Sequence, residues 1–287
     1  MRPKEKLTLK LGAIHIHPVK GGRSLGLESA ELHREGLARD RRWMLIDADG
    51  RFQSQRDLPA LARLDAEPTE DGLILTFGEE AERFVPFPDG SERVDARLWQ
   101  NELDVALAGE ETNNALSRWF GEDVRLIYQD RIDRQADMDF APAESPVSLA
   151  DGYPLLIATT DSLRDLNSRL VYDGEEPVPM GRFRPNLVID DSGPWREDTW
   201  RTIRIGGVTL DLVKPCARCK VTTIDQLDGV VTGEQPLQIL RETRFSADRR
   251  VPGVLFGWNA VPRGEGRLDV GDRVEVLEHR DGEVVRG

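Results

Sequence analysis

Apolar and polar residues alternate over residues 7–19, where Leu7, Leu9 and Leu11 are followed by Ile14 and Ile16, the period-two pattern of a strand with one buried face. Arg42 to Ile46 and Arg51 to Gln55 flank Asp47-Ala48-Asp49-Gly50, a hairpin turn signal. Short β-rich runs, Gly72 to Phe77 among them, continue from 60 to 108. The period then changes: Ala115, Leu116, Trp119 and Phe120 share one face of a helix about three turns long, which Gly121 is suited to end. Its aromatic residues read as core. Thr160 is placed to cap a second helix carrying Leu163, Leu166 and Leu170, stopped by Gly174 and Pro177. Strands are expected at Leu155 to Ile157, Leu187 to Ile189, Trp200 to Ile205, Val208 to Val213, Val221 to Ile224 and Arg273 to Leu277, with a short helix over Pro236 to Thr243. The fold class is therefore mainly β with a few helices, α+β.

Between the two helical patterns, residues 129–147 are polar, proline-bearing and without periodicity, which marks a linker or flexible loop. The chain is long enough for two closely packed domains, and the boundary is set there, giving 1–130 and 131–287. No run approaches the ~20 apolar residues of a membrane span. The charged start Met1 to Lys6 has neither a signal-peptide nor a transit-peptide composition. A cytoplasmic location without membrane attachment is the expectation, and a reducing cytosol suits two unpaired thiols. The net charge of −13 argues against sequence-independent nucleic-acid binding, which needs lysine and arginine to neutralise phosphates. Against that acidic background Arg39, Arg41 and Arg42, then Arg182 and Arg184, then Arg218 and Lys220 form three clusters able to converge on one small anion. The loop Lys20 to Gly26 is glycine-rich, yet no Gly-Lys-Ser/Thr ends it and no helix follows, so it is not a P-loop.

The two cysteines carry the strongest chemistry. Cys216 and Cys219 are the chain's only cysteines, and neighbouring Arg218 and Lys220 favour an ionised sulfur that can act as nucleophile or soft-metal ligand. C-x-x-C spacing admits a dithiol redox pair, but such pairs open a helix, whereas Val221 to Ile224 is β-branched. A closed zinc site needs four ligands, and His15, His17, His33 and His279 offer no second pair at suitable spacing. Spacing alone favours two small buried residues.

Arg184-Pro185-Asn186, the strand after it, and Cys216-Ala217-Arg218-Cys219 with Thr222, Thr223 and Asp225 resemble the signature of the MOSC domain family, most of all the amidoxime-reducing component and its bacterial relatives. Pro18-Val19-Lys20, Arg39 to Trp43, Ala150-Asp151-Gly152-Tyr153-Pro154, Leu163 to Arg169 and Val270 to Val274 extend the likeness over most of the chain in the family's order. The resemblance implies a MOSC β-barrel packed against an N-terminal β-rich domain, with molybdenum cofactor (Mo-molybdopterin) between them. It implies Cys219 as the molybdenum ligand and catalytic centre, and Cys216 as a nearby non-ligand. Cofactor contacts carry over to Lys20, Arg41, Asp151, Gly152, Tyr153, Arg184, Asn186, Ala217 and Arg218. Gly21 and Ala217 stand where relatives have serine, which leaves main-chain contact there. Charge-assisted bonds from Lys20, Arg41 and Arg184 suit the cofactor's phosphate, and Asn186 suits a pterin edge.

The implied activity is reduction of N-hydroxylated small molecules by oxygen-atom transfer; the alternative is a carrier of the cofactor, or of persulfide sulfur on Cys219, without turnover. Asp225 reads either as a group orienting a proton donor or as a plain turn. The chain ends at Gly287 with no cysteines left for an iron–sulfur cluster, which needs about four thiolates. It also lacks a dinucleotide fingerprint. Electrons are therefore expected from a separate flavin, haem or iron–sulfur protein.

Overall fold

Alternating strands of this length bury one face only by joining a sheet, and the computed structural model, which describes residues 8–142 and 144–286, gathers most of them into one. Eight strands run in the order Val274–His279, Trp200–Ile205, Val208–Arg218, Val254–Pro262, Leu155–Thr159, Leu187–Asp190, Lys10–Ile16, Leu25–Leu27. Neighbours are antiparallel except Leu155–Thr159 with Leu187–Asp190, the pair joined by the helix Thr160–Tyr172. Hydrogen bonds from Val274 N–H to Leu9 O and from Gly271 N–H to Leu11 O bring the far edge back against the strand Lys10–Ile16, curling the sheet toward a barrel. Its interior holds Leu11, Ile14, Leu187, Trp200, Ile203, Leu210 and Trp258.

The expected strand at 7–19 is Lys10–Ile16; Leu7 lies outside the described residues. Its register shifts between Leu11 and Ala13, where a Cβ on Gly12 would come within 2.4 Å of the Asp190 carboxylate. This strand and Leu25–Leu27 precede the boundary expected near residue 130, yet pair within the sheet built from later strands.

Most of the remaining N-terminal strands form a four-stranded sheet, Trp43–Ile46, Arg125–Tyr128, Asn101–Leu107 and Arg93–Leu98, and a three-stranded one, Leu64–Pro68, Gly72–Phe77 and Arg83–Pro86. They share a core of Val19, Trp43, Leu61, Leu73, Leu116 and Leu126. The helix Glu110–Phe120 ends at Gly121 in the left-handed conformation, and its Trp119 and Phe120 pack on Phe77 as core. A third small sheet joins Gly266–Asp269, Ser29–His33 and Gly36–Leu37. No helix among the described residues is long and apolar enough to cross a membrane.

Four local expectations change. Val221 to Ile224 is not a strand: Lys220–Thr223 is a 3₁₀ turn, because the Thr222 and Thr223 hydroxyls donate back to Cys219 O and Lys220 O at 3.0 and 2.8 Å and compete with ladder bonding. The preceding strand runs on instead to Arg218. The second helix is capped by Thr159, whose hydroxyl accepts from Ser162 N–H at 3.2 Å, not by Thr160. Past Arg51 the hairpin partner makes one bridge, Phe52 to Ile46, before Ser54 and Asp57 turn the chain away. Finally, the stretch that begins at Gln129 is anchored: Gln129 and Arg134 are buried, and Arg134 donates to the carbonyls of Ser148 and Ala150.

Candidate functional site

The cleft begins where the strand Lys10–Ile16 runs out into Pro18-Val19-Lys20. Lys20 N–H bonds to Trp43 O at 2.7 Å, which buries the side chain and aims its ammonium at Asp151, Nζ to Oδ1 2.5 Å. Burial pulls the Lys20 ammonium below its ordinary pKa, and Asp151 opposes that pull. Desolvation in the cleft would raise the Asp151 carboxyl, exposed as its side chain is, but Lys20, Arg41 and Arg56 together hold it well below the usual carboxylate range. The buried Arg134 braces the backbone of the Asp151 loop from behind.

Arg41, in the left-handed region at φ 49°, donates from Nη1 to Asp40 Oδ2 at 2.5 Å and to Asn186 Oδ1 at 3.1 Å. Asp40 is buried, which disfavours its charge, yet Arg41 and His17 lower its pKa to about 2. His17 itself is fully buried beneath these groups, and burial together with Arg184 and Arg41 pushes its imidazole well below its ordinary pKa.

The facing wall comes from the 3₁₀ turn Met180–Phe183 and the end of the strand Val208–Arg218. Arg184 leaves that turn at φ 53° and donates from Nη1 to Gln226 Oε1 at 3.0 Å, while its Nη2 is buried with no partner. Burial and then Arg41 bring its pKa down to about 9. Arg218 donates to Phe183 O at 2.7 Å and to Cys216 Sγ at 2.9 Å. Cys219, one position beyond, is exposed, and Arg56 Nη1 approaches its sulfur at 3.6 Å. Asn186 spends its amide on structure, with Oδ1 accepting from Leu156 N–H and Arg41 and Nδ2 donating to His15 O.

Lys20, Arg41, Asp151, Gly152, Tyr153, Arg184, Asn186, Ala217, Arg218 and Cys219 all line this one cleft. Tyr153 is buried there with an unpartnered hydroxyl, and burial with Asp137 and Asp139 pushes its phenol above the ordinary range. The three basic clusters converge only in part. Arg39 bonds to Thr69 O and Arg42 to Gln129 O, outside the cleft. Arg182 is paired with Asp225 at 3.2 Å, and Lys220 is exposed. Asp225 is a turn residue: its Oδ1 accepts from Leu227 and Asp228 N–H at 2.8 and 3.2 Å.

The cleft also contains Phe52 and Gln55, from the segment expected as a hairpin strand, and Arg56 just beyond it. Arg56 stacks on Trp99 at 4.6 Å, and Trp99 Nε1 donates to Asp151 Oδ1 at 3.2 Å. The signal available for Arg56 was a lone cation in the polar run that ends a strand pattern.

A β-rich fold gathers an ammonium and four guanidiniums around an exposed thiol, an arrangement whose charge suits an anionic ligand beside a sulfur. Comparison with known proteins narrows the class. The family model for the MOSC N-terminal beta barrel domain matches residues 8–123, and that for the MOSC domain matches residues 144–275. Mitochondrial amidoxime-reducing component 1 of Danio rerio is 32% identical over 97% of this chain and 89% of its own length. The Homo sapiens component 1 is 30% identical over 91% of this chain and 81% of its own, and Homo sapiens component 2 is 30% identical over 90% and 81%. The chain belongs to the MOSC family of amidoxime-reducing components.

Proposed function

We propose that this protein holds molybdenum cofactor in the cleft and reduces N-hydroxylated small molecules, a class that includes the amidoximes named in its relatives. The observation that carries the reading is the unpartnered, buried Arg184 Nη2 in a cleft shared with Lys20, Arg41, Arg218 and the exposed Cys219. A buried donor with no acceptor is costly, and a phosphate oxygen relieves it. Among the described residues, no three His, Cys, Asp or Glu side chains come together to hold a bare ion. One soft thiolate beside a cationic cradle therefore suits a metal that brings an organic, phosphate-bearing ligand of its own.

When bound, the cofactor supplies the two-electron chemistry that removes oxygen from an N–O bond. The protein's residues do the rest. Arg184, Arg218, Arg41 and Lys20 bind and orient the anionic end, with Gly152 and Ala217 contributing main chain and Asn186 bracing the floor. Cys219 ligates the metal, and Arg56 sits against its sulfur. Electrons come from a separate donor protein.

The test uses protein from a molybdenum-replete, cofactor-competent host. One molybdenum and one pterin per chain are expected, with turnover of benzamidoxime by reduced viologen and none with NADH or NADPH alone. Zinc in place of molybdenum and pterin would overturn the cofactor reading. Full molybdenum occupancy without viologen-driven turnover would make the protein a carrier.

A further inference from the structure

The geometry points to Gln226 as a positioning residue that orients Arg184 toward a bound anion without cancelling its charge, an inference that rests on the anion-binding reading above. Gln226 lies just past the 3₁₀ turn Lys220–Thr223, and its side-chain carbonyl accepts from Arg184 Nη1 at 3.0 Å. A reciprocal amide pair fixes it in place: Gln55 Nε2 donates to Gln226 Oε1 at 2.9 Å, and Gln226 Nε2 donates to Gln55 Oε1 at 2.9 Å. Gln226 Nε2 also donates to Ile224 O at 3.1 Å, and Gln55 Nε2 to Gly21 O at 2.7 Å. These partners determine which way the amide faces. Turned over, it would set its NH₂ against the Arg184 guanidinium and its oxygen against the Ile224 carbonyl, two repulsive contacts in place of two bonds.

The choice of an amide has an electrostatic consequence. Among the described residues Arg184 makes no ion pair; Asp40 and Asp151 act on it at longer range, while Arg41 and Arg218 repel it. His17, buried beneath, is neutral. A carboxylate at position 226 would hold Arg184 more strongly and neutralise it. Glutamine supplies the same acceptor geometry and leaves the charge, together with the unpartnered Nη2, for the ligand. The clip also ties residue 55, on the N-terminal side of the cleft, to residue 226 on the other.

The experiment is calorimetric binding of inorganic phosphate to the metal-free protein at low salt, with molybdenum occupancy of the loaded protein as a second readout. Gln226→Ala should weaken phosphate about tenfold, the effect of losing one oriented bond to a charged group. Gln226→Glu keeps an acceptor for Arg184 and should weaken phosphate at least as much, because the new carboxylate cancels the charge. A purely structural role, through the Nε2 bonds to Gln55 and Ile224 that glutamate also forfeits, predicts losses in both variants that persist without Arg184. In an Arg184→Ala background the Gln226→Ala effect should vanish, since Gln226 acts through Arg184, while the direct repulsion between a carboxylate and phosphate should leave part of the Gln226→Glu loss. Should Gln226→Ala fail to fold, Gln226→Glu and Gln55→Leu, which breaks the reciprocal pair and should give a smaller loss, carry the same test. Wild-type affinity in Gln226→Glu, or an undiminished Gln226→Ala effect without Arg184, overturns the proposal. Equal phosphate binding by wild type and Arg184→Ala would overturn the anion reading itself.

Discussion

The two sides of the cleft carry similar residues in opposite electrostatic states. On one side Lys20 and Arg41 each meet a carboxylate at 2.5 Å, Asp151 and Asp40. On the other, Arg184 and Arg218 meet an amide oxygen, a main-chain carbonyl and a sulfur, and make no ion pair among the described residues. The first side is partly compensated before any ligand arrives, so its cations also hold the fold and shape the floor that faces the ligand. The second keeps charge and an unmet donor in reserve; burial, and then repulsion from Arg41, bring the Arg184 pKa down to about 9. A basic residue's partner, more than its type, decides whether its charge is available.

The comparison can be broken most completely at sulfur. Both cysteines lie on the uncompensated side, but Cys216 accepts from Arg218 at 2.9 Å while Cys219 is exposed beside Arg56. Cys219→Ser is expected to purify without molybdenum and without activity, and Cys216→Ser to keep most of both; metal analysis separates them. Equal loss would favour a dithiol mechanism.

The next largest effect belongs to Arg41→Ala. It strands Asp40 in the interior, and breaking a buried pair costs roughly 3–5 kcal/mol. Burial opposes the Asp40 charge, yet its folded pKa is about 2 against an ordinary 3.8. The stability that pair contributes is therefore present above about pH 3.8 and lost as pH falls through about 2. Denaturant melts at pH 7 should show a large drop for Arg41→Ala and little change for Arg184→Ala, whose loss appears in phosphate binding. The opposite pattern would invert the assignment of the two sides.

The residues that line the cleft were legible because their chemistry is local: Arg184-Pro185-Asn186 and Cys216-Ala217-Arg218-Cys219 announce cation, amide and thiol within a few positions. The residues that orient them were not. Gln55 and Gln226 are 171 positions apart, and neither carries a chemical signal until the fold brings their amides together. The strand Lys10–Ile16 was readable from its alternation, but its partner Leu187–Asp190 lies far along the chain, so its membership of the C-terminal sheet was hidden. At Val221 to Ile224 β-branched composition pointed to a strand, and two threonine hydroxyls bonding back to the main chain overrode it. Arg134 sat in a stretch whose polar, proline-bearing composition suggests looseness, yet its guanidinium organises three carbonyls around the Asp151 loop.

A carboxylate elsewhere sharpens the same contrast and carries the smallest of these effects. Asp40 shows a buried acid bonded to a guanidinium; Glu197 shows one with no bonded guanidinium, Arg244 acting on it only without a direct pair. Glu197 lies in the 3₁₀ turn Arg196–Thr199, is buried, and is bonded through Oε2 to the Thr159 hydroxyl at 3.1 Å, with Oε1 unpartnered. Burial raises its pKa from 4.5 to about 7, with neighbouring Asp198 adding to the rise. The folded chain therefore binds this proton more tightly than the unfolded chain. The stabilisation is complete below about pH 4.5 and is lost as pH rises through about 7, the reverse of Asp40. Glu197→Gln removes the titration while keeping the shape. It should match wild type near pH 4 and exceed it at pH 8 by on the order of 2 kcal/mol, read from urea melts at both values. Parallel stability curves for the two proteins from pH 4 to 8 would mean that Glu197 is compensated in solution, and that burial without a bonded cation is not what distinguishes it from Asp40.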